Sequence, residues 1–111
     1  TRNRSYEYIP LPVTVAYGSD MEEVRKVIQR ALAPLQHPDA YGREVVEPGY
    51  GIKITMGGFG DNGLNLVVKQ HVLVEERFSY IAKANEMIYK ALNEAGIRIP
   101  LPQRDVRIKH E

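Results

Sequence analysis

The sequence contains no cysteine and no tryptophan, and has only two phenylalanines. Without cysteine there is no disulfide, no thiolate nucleophile and no sulfur-ligated metal site. An excess of one charge sign is also missing: 15 basic residues stand against 14 acidic ones, a formal net charge of +1. That balance gives no global attraction to nucleic acid or to an anionic membrane surface. No apolar run approaches the roughly 18 residues of a membrane span, and no secretory leader is expected at the start. The chain opens on Thr1 rather than Met, so a longer protein is expected upstream. What is present is ordinary for one globular domain: 111 residues, 43% hydrophobic and 26% charged. A chain of this size buries about 65% of its extended surface on folding.

Hydrophobic periodicity divides the chain into six elements. Residues Thr1 to Glu7 are polar, and residues 1–8 are read as a linker. Leu11, Val13, Val15 and Tyr17 alternate with Pro12, Thr14 and Ala16, a half-buried strand with a proline-rich entry. Ser19 with Glu22, or Asp20 with Glu23, can form a capping box that opens a helix. Met21, Val24, Ile28, Ala31, Leu32 and Leu35 share one face of it, and Pro34 should end it. Gln36 to Tyr50 reads as loop, with Val45 and Val46 packed beneath it.

Ile52, Ile54 and Met56 mark a second strand, and Gly57 to Gly63 a turn. Asn62-Gly63 is a hairpin signal, because both residues tolerate positive φ. Leu64, Leu66, Val68, Gln70, Val72 and Val74 form one face of a long third strand. From Arg77 to Ala95 the period becomes helical, with Phe78, Ile81, Ile88, Leu92 and Ala95 on one face. Gly96 stands where a helix takes a left-handed residue past its C-terminus. Ile97 and Ile99 alternate with Arg98 as a last domain strand, and Pro100 and Pro102 interrupt it.

The order strand, helix, strand, strand, helix, strand is the split βαβ plan: an α+β, ferredoxin-like βαββαβ sandwich with both helices on one face of the sheet. It is expected over residues 9–102. The other sheet face should carry Thr14, Ala16, Lys53, Thr55, Asn65, Val67, Lys69, His71 and Leu73, with no aromatic among them. That mix suits water or a neighbouring subunit.

No constellation for catalysis, cofactor binding or metal binding is found. Gly58 to Gly63 matches G-x-G-x-x-G, but a strand follows it, not the helix that would hold a pyrophosphate. His37, His71 and His110 lack metal-ligand spacing. Ser5, Ser19 and Ser79 lack the context of a nucleophile elbow. Glu22-Glu23 and Glu75-Glu76 lie near helix starts, where they favour the helix dipole.

The stretch Ala95-Gly-Ile-Arg-Ile-Pro-Leu-Pro-Gln-Arg-Asp-Val-Arg-Ile-Lys109 resembles, without a gap, the end of the cytoplasmic α/β domain in the small-conductance mechanosensitive channel (MscS) family. Val13 to Asp20 is similar to that family's opening strand and helix cap, and Gly58 to Asp61 to its central hairpin. The resemblance implies a cytoplasmic cage domain of a homo-oligomeric channel, a heptamer in the full protein at the cell inner membrane. It implies membrane helices in an upstream part. It implies permeant ions and small solutes as partners, and no enzyme activity, cofactor or nucleic acid. It also implies that residues 103–111 hold a strand, Gln103, Arg104, Asp105, Val106, Arg107, Ile108 and Lys109, that pairs between subunits. Arg98, Arg104, Arg107 and Lys109 make this end locally basic. Two other functions suit the same fold: an RNA-binding module, for which Gly58-Phe59-Gly60 mimics part of the signature, and a small-molecule regulatory domain.

Overall fold

The computed structural model describes residues 5–100. Three strands, β1 (Tyr6–Val15), β2 (Lys53–Phe59) and β3 (Leu64–Leu73), form an antiparallel sheet in the order β1-β3-β2. Two helices, α1 (Met21–Leu32) and α2 (Arg77–Glu94), pack against each other and close one core with the sheet. This is the expected α+β plan. The β2–β3 hairpin puts β3 in the centre, and the α1 crossover returns the chain to the far side of β3 from β1.

The core follows the two periodicities. Leu11 and Val15 of β1, Leu66 and Val68 of β3, Val24, Ile28 and Leu32 of α1, and Ala84, Ile88 and Leu92 of α2 are buried together. Asp20 is the residue that caps α1, its carboxylate accepting from the Glu22 amide at 3.0 Å. Ser19 instead donates its hydroxyl to Ala16 O. Pro34 lies in a short 3₁₀ turn, Ala33–Gln36, directly after α1 ends. At the end of α2, Gly96 has φ +76°. Its amide donates to Asn93 O and the Ile97 amide donates to Leu92 O, which satisfies two of the last helical carbonyls.

Several expectations change. β1 begins at Tyr6, well before Leu11, and its register pairs Tyr6 with Leu73. The buried stripe of α2 runs through Tyr80, Ala84, Ile88 and Leu92, while Phe78 is exposed and Ile81 half-buried. A spacing of four throughout keeps those side chains over the sheet, and Phe78 falls off that line. Leu73, expected on the open face, is buried. The loop crosses beside it there, and its amide donates to Val45 O.

Ile97 to Ile99 does not form a fourth strand. The Ile97 amide is committed to the helix cap, and the ladder to β1 is reduced to one bond from the Ala16 amide to Arg98 O at 2.8 Å. The hairpin also differs. Neither Asn62 nor Gly63 has positive φ; the left-handed glycine is Gly58, at a register shift in β2 between Met56 and Gly58. Gly63 is needed for space: a Cβ there would stand 2.3 Å from Val15 O.

Candidate functional site

The residues expected to carry assembly, Gln103 to Lys109, lie outside the described residues. What the structure places is the segment leading to them. Ile97 is buried against the core, Arg98 is bonded to Ala16, and a Cβ on Gly63 would stand 3.0 Å from the Pro100 ring. The chain is therefore fixed beside the end of β1 and the β2–β3 turn until Pro100.

The open sheet face is more structured than its sequence suggests. Its row nearest the loop holds Tyr8 and His71, which are direct partners across β1 and β3. Their rings meet edge to face at 6.0 Å, and Tyr50 from the loop stacks on His71 at 4.2 Å with an interplanar angle of 26°. His71 Nδ1 lies 3.6 Å from Glu47 Oε1. The next row places Lys53 directly opposite Lys69. Tyr8, Tyr50, Gly51, Lys53, Lys69 and His71 surround a cavity of about 290 Å³. The two tyrosines were missed because Tyr8 lies in a stretch read as linker and Tyr50 in a loop. Carrying the alternation of Leu11 back through Ile9 would have put Tyr8 on this face.

A second cavity of about 290 Å³ lies between the 3₁₀ turn, the loop and the start of α2. Its charges answer one another. Arg43 bonds Asp39 Oδ2 at 2.8 Å and Glu76 Oε2 at 2.6 Å. The Arg43 amide, then its guanidinium, hold the Asp39 carboxyl below its ordinary range. Tyr80 closes the inner wall, and its hydroxyl donates to Gln70 Oε1 in the core. Burial pushes that phenol up to about 12.

Of the histidines, His37 is exposed in the loop, His71 belongs to the open face, and His110 lies outside the described residues. Among the described residues no three metal-ligating side chains converge, and no helix is long and apolar enough to cross a membrane. Gly58 to Gly63 leads into β3, not into a helix.

Two antiparallel strand pairs, two helices on one sheet face and a capped exit after α2 define an α+β domain. Residues 9–99 match the family model described as "Mechanosensitive ion channel MscS, C-terminal". The chain belongs to the MscS family and is an MscS-family C-terminal domain. It is 32% identical over 100 residues to an uncharacterised MscS family protein of Synechocystis, covering 90% of this chain and 31% of that protein. The closed-state crystal structure of Helicobacter pylori MscS superposes with a TM-score of 0.74 at 26% identity, covering 96% of this chain and 40% of that one. The chain thus spans well under half the length of these relatives.

Proposed function

We propose that this chain is the cytoplasmic cage domain of a homo-oligomeric mechanosensitive channel. There it holds subunits together and filters the ions and small solutes released on osmotic downshift. The observation that carries this is the match of residues 9–99, nearly all of the described domain, to the C-terminal domain of the MscS family. The heptamer, the inner membrane and the cytoplasmic side follow from the same resemblance, with the membrane reached through an upstream region.

Assembly is assigned to Gln103 to Lys109. The β1 edge supports this reading. Among the described residues, its pairing with the chain after α2 consists of one backbone bond, from Ala16 to Arg98. Val106 and Ile108 are the apolar side chains of that segment. Each contributes about 1.5–3 kcal/mol when fully buried. Together that falls short of the cost of backbone ordering, about 1–2 kcal/mol for each of the seven residues. Such a strand is ordered only when a ladder receives it, and an unpaired strand edge is a template for another chain.

Hydrogen exchange tests this on the 111-residue chain and on the full channel. The expected result is fast exchange of the Val106 and Ile108 amides in the monomer and slow exchange in the assembled channel. Protection in the monomer equal to that of Val15 and Val68 would assign the strand to its own domain and overturn the assembly role.

A further inference from the structure

We propose that the cavity on the open sheet face is a binding site for a small anion that carries a flat ring. Three observations converge on it. First, Lys53 and Lys69 are direct cross-strand partners on the same face. Like charges in that position, with Cβ atoms about 5 Å apart, are destabilising. Among the described residues neither ammonium is paired with a carboxylate. An anion between the two ammoniums removes that repulsion.

Second, the neighbouring row is an aromatic floor kept at the surface. Tyr8 is 45% and Tyr50 57% exposed, yet both are packed on the His71 ring. Glu47 Oε1 lies 3.6 Å from Nδ1 of the ring that both tyrosines touch, beyond direct hydrogen-bond distance. A π-face beside two cations suits a ligand whose charge and ring are joined by a short spacer.

Third, the site has the size of a small molecule. Its volume is about 290 Å³, and Tyr50 and Gly51 of the loop are part of its lining. A longer polyanion would need a basic track beyond the six residues that line it. The net charge of +1 does not provide one. Lys53 and Lys69 hold the anionic group, Tyr50 and Tyr8 stack or edge the ring, and His71 orients both. The site does not depend on the assembly strand, so its failure would leave the channel reading untouched.

The test is a titration of the isotope-labelled 111-residue chain, followed by amide chemical shifts at fixed pH and ionic strength. AMP supplies ring and dianion together, inorganic phosphate the charge alone and adenosine the ring alone. Saturable shifts are expected with AMP at Tyr50, Lys53, Lys69 and His71, with weaker binding of phosphate and adenosine. Added salt should weaken AMP binding, because the lysines are solvent-exposed or half-exposed. Lys53→Gln with Lys69→Gln should weaken it by about tenfold. Tyr50→Ala should weaken it by at least about fivefold. These side chains lie outside the core, and an unchanged spectrum elsewhere verifies the fold of each variant.

Absence of saturable shifts at about 10 mM AMP, a weak-affinity limit, would overturn the proposal. So would lysine variants that bind AMP as the parent does, or phosphate binding as tight as AMP. Tighter binding of an oligouridylate, with shifts spread along the sheet, would replace the small-anion site with a nucleic-acid platform.

Discussion

Tyr80→Phe isolates a polar contact that the fold has placed inside its core. The Tyr80 hydroxyl donates to Gln70 Oε1, which also accepts from Gln36 Nε2 at 3.0 Å. Gln70 is 1% exposed and Tyr80 4% exposed, and Gln70 Nε2 has no partner. Removing the hydroxyl deletes one neutral hydrogen bond but does not orphan the Gln70 oxygen, because Gln36 still donates to it. The expected cost is about 1 kcal/mol, the usual net value of such a bond. Gln70→Leu removes the unpartnered amide nitrogen, a gain, but strands the buried Tyr80 hydroxyl, a loss of about 1–3 kcal/mol. The two nearly cancel. The double variant removes both ends and should be as stable as the parent or more so, since an apolar pair of similar shape replaces a half-satisfied polar one.

Urea denaturation of all four proteins reads the coupling directly, provided the slope of the transition is unchanged. A double variant destabilised by the sum of the two single changes would refute the reasoning. The same series has a pH signature. Burial raises the Tyr80 phenol from 10.0 to about 12. A group whose folded value is raised stabilises the fold fully below the unfolded value and loses that contribution as pH rises through the folded one. The parent should therefore lose stability relative to Tyr80→Phe between about pH 10 and pH 12. Parallel stability curves across that window would show that the hydroxyl is not buried as described.

Two glycines should fail for opposite reasons. Gly63→Ala introduces a Cβ 2.3 Å from Val15 O, a backbone atom at the end of β1, so the hairpin or β1 must shift. A loss of about 1–3 kcal/mol is expected in denaturant melts, and a change under about 0.3 kcal/mol would refute the close approach. Gly96→Val meets nothing within 4 Å, but φ is +76°. The expected loss is at least about 1 kcal/mol from backbone strain alone, and Gly96→Asn should recover part of it because asparagine tolerates that region. Equal losses for valine and asparagine would argue against a left-handed cap.

Much of the domain was legible as local pattern. Alternation found β3 and the later half of β1, the period of 3.6 found both helices, and Asp20, Pro34 and Gly96 marked their ends. These signals work because a strand or helix buries one stripe, and caps satisfy backbone groups within a few residues. The stretch Ala95 to Lys109 also carried enough specific residues to show its family resemblance. Other features depended on elements distant in the chain. Ile97 reads as a strand residue, but the cap of α2 takes its amide. Gly63 reads as a turn residue, but β1 presses on it from 48 positions away, as the numbering of Val15 and Gly63 shows. Tyr80 and Gln70 read as a helix residue and a strand residue, and only the packing of α2 on β3 joins them. The open-face cavity is the same case: Tyr8, Tyr50, Lys53 and His71 come from three strands and a loop. Sequence spacing sets which residues share a face, but register between strands decides which of them stand opposite one another.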